Sequence, residues 1–328
     1  PRTDGILALH SLQQTEALHL DLRHGNFEKR SNNWLNYPLG VIAHLRQHNI
    51  LLQGANILLN STLPMGSGLS SSVALEVLIA YILLHQSAHP WQQDKAHIAQ
   101  FCQQVENNFV GVKCGIMDQF AVAVAEKGHA LLLNCNTLAH QFIPFNLSSH
   151  HLYIMNTNTS RTLADSAYNT RKESCEQALA LLQAYQPAPN LCSLSIATLG
   201  YLPNETLQKR VRHVITENMR VKKAVKALAQ NNLNDFGNLL FSSHLSLKND
   251  YEVSSKALDV LVNLAMLHEG CLGARMTGAG FGGCAIALVE KSKALDFIRT
   301  VGQQYEQVMD LQADIYESSA ENGVYLVA

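Results

Sequence analysis

The sequence predicts an α+β fold in two domains, and three observations carry that reading. Strand-like segments concentrate in the first half and long helical patterns in the second. At 328 residues the chain is too long for one small core. Hydrophobic residues at 47% against 15% charged mark a chain that buries a core rather than staying disordered. The change of character falls near residue 148, which gives expected domains of 1–147 and 148–328.

Each element has its own signal. Gly5–His10 and Ala17–Leu22 read as strands, Trp34–His48 carries apolar residues at helical spacing, and Ala55–Leu59 is a short strand. The stretch beginning Val73-Ala74-Leu75-Glu76 is apolar on nearly every face, so a buried helix is expected. Another helix is expected over Asp94–Phe109, then strands over Ala130–Cys135 and Leu152–Asn156. Helices follow over Leu163–Tyr185, Glu205–Ala229, Leu233–Leu245 and Ser255–His268, with Gln186–Ser193 a proline-bearing loop. A glycine-rich stretch, Gly278–Gly283, leads into a strand at Cys284–Val289. One helix and two short strands close the chain.

Composition excludes several functions. The formal net charge is −2 and no basic tract occurs, so a nucleic-acid surface is not expected. The seven cysteines are scattered, with no Cys-x-x-Cys pair. That argues against a disulfide framework or a zinc site and fits a reducing, cytoplasmic setting. The longest apolar run, Val73–Leu84, contains Glu76 and is too short to span a bilayer. His44 and His48 stand at i, i+4, but no third ligand accompanies them, so they are expected as surface histidines.

Three stretches carry chemistry. Pro64-Met65-Gly66-Ser67-Gly68-Leu69-Ser70-Ser71-Ser72 runs straight into the buried helix. Glycines let a backbone approach a ligand, and the free amides of a helix start bind anions. No Gly-Lys-Ser/Thr follows, so this is not a Walker A loop. A plain serine-capped helix would also explain it. Next, Cys114-Gly115-Ile116-Met117-Asp118-Gln119 places one acid among apolar neighbours. Such a carboxylate can orient an alcohol and accept its proton during phosphoryl transfer, or can simply cap a helix. Third, Arg275-Met276-Thr277-Gly278-Ala279-Gly280-Phe281-Gly282-Gly283-Cys284 satisfies Gly-x-Gly-x-x-Gly formally. A dinucleotide fold needs a helix after it, and here a strand follows.

Taken together, these stretches resemble the motifs of the GHMP kinases and, within them, the galactokinases. Pro64–Ser72 is similar to that family's phosphate loop, Cys114–Gln119 to its galactokinase-specific stretch, and Arg275–Cys284 to its late glycine motif. Ser166–Arg171 and Arg210–His213 extend the resemblance over essentially the whole chain. It implies a two-domain fold with the active site in the cleft between the domains, and transfer of phosphate from ATP to the 1-hydroxyl of galactose. By the same resemblance, Asp118 is the catalytic base, and Pro64, Gly66, Ser67, Gly68, Leu69, Ser70, Ser71 and Ser72 hold phosphate. Trp34 lies near adenine, although its pattern alone reads as a core aromatic. Gly115, Asp118 and Tyr168 contact galactose. Ser72 and Glu106 bind Mg²⁺, although Glu106 alone reads as a solvated charge. Galactose and ATP are the expected partners, with no membrane, nucleic acid or obligatory protein.

The sequence departs from the family in places. Ala279 stands where glycine is usual, and Pro38 falls inside the first helical pattern. The family's early Gly-Arg-x-Asn-Leu-Ile-Gly-Glu-His-Thr-Asp-Tyr stretch has no counterpart, and Pro1-Arg2 matches a strand that follows it. A truncated chain that handles galactose poorly is the expectation. Two alternatives remain, a non-catalytic sugar and ATP sensor and an inactive gene remnant. The uninterrupted Ser70-Ser71-Ser72-Val73-Ala74 run favours the enzyme over the sensor.

Overall fold

Alternating apolar residues build the first sheet of the computed structural model, which describes residues 1–31, 33–64, 68–159 and 164–327, and only the backbone of 164–166 and 168. Strand β1 (Ile6–Ser11) buries Leu7, Ala8 and Leu9, and β2 (Leu18–Asp21) turns Leu18 and Leu20 inward. After helix α1 (Asn36–Gln47), β3 (Ala55–Leu59) alternates strictly, with Ala55, Ile57 and Leu59 inside. The sheet order is β2-β1-β3; β2 runs antiparallel and β3 parallel to β1. Pro38 is the third residue of α1, where its missing N–H has no intrahelical partner to lose.

Helices α2 (Ser71–Gln86), α3 (Lys95–Val105) and α4 (Met117–Val124) close this core around Val77, Ile79, Leu83, Ile98, Phe101, Val105 and Phe120. A π-helical turn, Glu106–Val110, continues α3 and ends at Gly111, whose φ is 91°. Strands β4 (His129–Leu133) and β5 (His140–Pro144) pair with each other. By contacts, one unit comprises Pro1–Met65, Leu69–Phe142 and Ala320–Ala328, and the other Gly66–Gly68 and Ile143–Ser319.

In the second unit β6 (His150–Asn156) is followed by α5 (Ala164–Gln183), α6 (Glu205–Ala229), α7 (Leu233–Ser246) and α8 (Lys256–Leu267). Then come β7 (Cys271–Met276), β8 (Cys284–Glu290), α9 (Ala294–Met309) and β9 (Asp314–Ser318). The sheet order is β7-β8-β6-β9, antiparallel throughout. Its core gathers Tyr153, Met155, Leu261, Phe297, Val301 and Tyr305. A separate cluster, with Ala178, Leu182, Leu207 and Val211, joins α5 to α6. Side-chain caps set the helix starts: Asn204 accepts from the Leu207 amide at 2.9 Å, and Ser255 from Leu258 at 3.3 Å. No helix among the described residues is long and apolar enough to cross a membrane.

Two strands, β5 and β7, carry no clear strand signal in the sequence. β7 holds a glycine and an alanine in place of β-branched residues because α7 lies directly upon it. A Cβ on Gly273 would stand 2.1 Å from the Gly237 carbonyl oxygen, and one on Gly237 would stand 2.2 Å from that of Leu272. Only one closing strand forms, since 319–327 carry no strand among the described residues. The contact is backbone against backbone, so no side-chain rotation relieves an added methyl. Gly273→Ala should destabilise the protein by about 3 kcal/mol, the upper end of the usual overpacking cost, as read from urea unfolding midpoints.

Candidate active site

The start of α2 is unusual in its cap. Ser70 occupies the N-cap in left-handed conformation (φ 55°, ψ 35°) and makes no side-chain capping bond. Its Oγ instead donates to Asp118 Oδ2 at 2.8 Å. The first intrahelical bond is Ala74 N–H to Ser70 O at 2.9 Å. Among the described residues the amides of Ser71, Ser72 and Val73 thus meet no carbonyl one turn back and no serine cap, which suits this helix start to an anion. The serine-capped helix that the sequence also allowed is not what forms.

Asp118 is the second residue of α4, whose N-cap is Ile116, so it is not a capping aspartate. It is half-buried in the first turn, where the helix dipole favours a carboxylate. Gly115, just before it, is exposed, and a Cβ there would meet nothing within 4 Å.

Behind these residues lies a set of buried acids. Glu106 is 5% exposed, so the solvated charge read from its sequence setting is corrected. It sits at the start of the π-helical turn with Val105 and Phe101 holding the preceding helix to the core. Its Oε2 accepts from Gln119 Nε2 at 2.6 Å and from Cys114 Sγ at 3.2 Å. Burial, opposed by these donors and aided by the charge of Asp118, holds its carboxyl above the ordinary range. Glu76, one turn along α2 from Ser72, is fully buried, and neither of its oxygens has a hydrogen-bond partner among the described residues. Burial first, and then the charge of Glu106, push it up to about 9. Burial and Glu106 likewise push the Cys114 thiol up to about 12. The Tyr37 hydroxyl, set against the Ser72 side chain, is raised by burial and by both acids.

The late glycine stretch joins β7 to β8. Gly278, Gly280, Gly282 and Gly283 all have positive φ, as does Phe281. At Gly280 glycine is obligatory on a second count, because a Cβ would lie 2.1 Å from the Val253 carbonyl oxygen. Strands flank this loop on both sides and pair antiparallel, which removes the dinucleotide-fold reading. Gly68 reaches the same stretch: its carbonyl oxygen is 3.7 Å from the position of a Cβ on Gly278.

The remaining predicted residues are placed as follows. Pro64, Leu69, Ser71 and Ser72 are half-buried around the start of α2. Gly66, Ser67 and the Tyr168 side chain lie outside the described residues. Trp34 packs on the first core just before α1, with its indole Nε1 buried and unpartnered. His44 is half-buried, not a surface residue; its Nδ1 meets the Gly40 carbonyl at 3.0 Å and its ring lies edge-on to Phe101 and Phe109. His48 is exposed against Trp91. Sequence reasoning missed Glu76, Gln119 and Tyr37 as members of the site. The signal for Glu76 was there: a single acid, four residues after Ser72, in an apolar helix.

Comparison with known proteins places this arrangement. The profile of the GHMP kinases N terminal domain matches residues 36–126, and that of the GHMP kinases C terminal matches 224–307. A Clostridium tetani galactokinase is 43% identical over 99% of this chain and 83% of its own length. A Bacillus subtilis galactokinase is 40% identical, covering 98% and 84%. The chain belongs to the galactokinase family of GHMP kinases. The crystal structure of Lactococcus lactis galactokinase complexed with galactose superposes with a TM-score of 0.90, at 38% identity over 98% of this chain and 84% of that one. A Bacteroides thetaiotaomicron D-glycero-D-manno-heptose 1-phosphate kinase, at 13% identity and a TM-score of 0.60, shares the fold.

For a galactokinase-family chain, the donor set also bears on a divalent cation. A serine hydroxyl and a buried carboxylate whose two donors both use Oε2 fit a hard ion that takes its other ligands from water and phosphate. Among the described residues no group of three or more His, Cys, Asp or Glu could hold a metal by itself. The buried acids make a checkable signature. Glu76 keeps its proton to about 9 when folded but has an ordinary value of 4.5. Between those values the folded chain holds a proton that the unfolded chain has released, so this group's contribution to stability falls as pH rises. Wild type should therefore lose more stability than Glu76→Gln between pH 5 and 9. Denaturant titrations should show a gap of more than about 1.4 kcal/mol, the equivalent of one pKa unit.

Proposed function

We infer that this protein transfers the γ-phosphoryl group of ATP to the anomeric 1-hydroxyl of galactose, giving galactose 1-phosphate and ADP. The observation that carries the reading is the 2.8 Å bond from Ser70 Oγ to Asp118 Oδ2. It ties the uncapped helix start, where phosphate belongs, to the carboxylate that faces the acceptor alcohol. Family membership supplies the sugar, and the open space at Gly115 supports close approach of a ligand to the backbone.

In the proposed mechanism the amides of Ser71, Ser72 and Val73 and the loop from Pro64 to Ser70 hold the phosphates of ATP. Asp118 orients the sugar 1-hydroxyl and accepts its proton as O1 bonds to the γ-phosphorus. The bond from that phosphorus to the β,γ-bridging oxygen breaks, and ADP departs with the electron pair. Ser70 holds the Asp118 carboxylate in place, so positioning does not wait on substrate. Ser72 and Glu106 would hold Mg²⁺, which when bound neutralises charge on the transferring phosphates. Gly115 and Tyr168 contact galactose and Trp34 borders adenine in this reading. We place the domain boundary at 147/148, a few residues beyond the Phe142/Ile143 division between the contact units, and the cytoplasm as location, in keeping with seven cysteines that form no disulfide.

Nothing in the fold favours the sensor or the remnant over the enzyme. The helix starts inside the serine run, at Ser71, and continues through Val73 and Ala74 without a gap, which supports the enzyme over the sensor. The test is a coupled ADP-release assay with galactose. Asp118→Asn should lower turnover by about 10²–10⁴-fold, the usual scale for loss of a general base, while ATP affinity by calorimetry stays within about twofold. Near-normal turnover in that variant would remove Asp118 as the base. A second expectation follows from its anchor: Ser70→Ala should reduce kcat more than it raises KM for ATP, because it frees the carboxylate without removing any phosphate-binding amide.

A further inference from the structure

Glu76 has no task in the mechanism above, yet it is the most demanding residue in the first unit. It is 0% exposed and both carboxyl oxygens lack hydrogen-bond partners. A buried polar group left unmatched costs free energy, and a buried acid more than most. Its surroundings offer no relief. Among the described residues the one charged group that acts on it is another acid, Glu106. The thiols Cys102 and Cys114 sense Glu76 and Glu106 and are themselves kept neutral by burial.

The acids nonetheless share a focus. Glu76 follows Ser72 by one helical turn, so both lie on one face of α2. Tyr37, set against Ser72, responds to both Glu106 and Glu76. Glu106 directs its protein donors to Oε2 only. Glu76 thus shares a helix face with Ser72 and lies within electrostatic reach of Glu106, with no cation beside it among the described residues.

We propose that Glu76 is a third oxygen group of the divalent-cation site, accepting a hydrogen bond from a water bound to the ion while Ser72 and Glu106 meet the ion directly. A small hard cation retains several waters and binds through few protein oxygens, so a carboxylate one step further out has a water to receive. Outer-shell carboxylates of this kind orient the inner ligands, and their loss commonly costs 10–100-fold in metal affinity. The assignment rests on the Mg²⁺ reading given above.

The experiment titrates Mg²⁺ into the full chain saturated with ADP, following heat by calorimetry, for wild type, Glu76→Gln and Glu76→Leu. Glu76→Gln should weaken Mg²⁺ by about tenfold and Glu76→Leu by more, with ADP affinity in EDTA unchanged in both. Thermal unfolding in EDTA should show either variant at least as stable as wild type, because an unmatched buried acid has gone. Equal Mg²⁺ affinity in all three proteins would overturn the proposal while leaving Ser72 and Glu106 standing. A loss of stability in EDTA for Glu76→Gln would also overturn it and make Glu76 a structural acid. If wild type itself shows no Mg²⁺ dependence, the cation site and this proposal fall together.

Discussion

The first unit is organised around a helix start that must stay open. Any of the serines from Ser70 to Ser72 could have turned its hydroxyl onto the α2 amides and closed the anion cradle. Ser70 is held away from that role by two coupled facts, its left-handed backbone and its bond to Asp118. Left-handed conformation is costly for a residue with a Cβ, so it persists only where surroundings enforce it. Here α4 supplies the enforcing partner, and Phe120, fully buried three residues after Met117, ties that helix to the core. One hydrogen bond thereby keeps the amides open and fixes the Asp118 carboxylate.

The same region concentrates acidic groups in low dielectric, against the usual preference of a folded chain. Gln119 and Cys114 steady Glu106, but no described group steadies Glu76. An interior selected only for stability would replace Glu76 by an apolar residue, as the buried Val73, Val77 and Ala80 of the same helix illustrate. In the proposed function, retaining it trades stability for a site completed by a cation and phosphates. That trade is common where function requires charge to be held out of water.

The second unit meets its constraint through backbone proximity. Gly237 and Gly273 let α7 touch β7 without intervening side chains, and Gly280 lets its loop meet the Val253 carbonyl. The run of positive φ from Gly280 to Gly283 gives that loop a path few other residues could follow. Thr157 then locks its end, accepting no alternative geometry: its amide and hydroxyl both donate to the Gly283 carbonyl, at 2.9 and 2.8 Å. Ala279, which departs from the family's usual glycine, is not among the positive-φ residues, so its methyl group is tolerated.

Much of this was legible in the residues. The α6 helix runs from Glu205 to Ala229 as its pattern and Asn204 cap require, and the long helices and alternating strands follow their periodicity. The identity of the chemistry was legible too, because a glycine–serine loop, one acid in an apolar setting and a late glycine loop occur together. Hidden from the sequence were β7, whose glycine and alanine answer to a helix packed upon it, and the burial of Glu106, which looks solvent-facing in Glu106-Asn107-Asn108. Local sequence determined which segments curl and which extend, since period and capping act over a few residues. Tertiary structure alone decided that Ser70 bonds Asp118 rather than its own helix, and that two acids share one buried space, because those outcomes depend on residues about 30 to 48 positions apart being brought within a few ångströms.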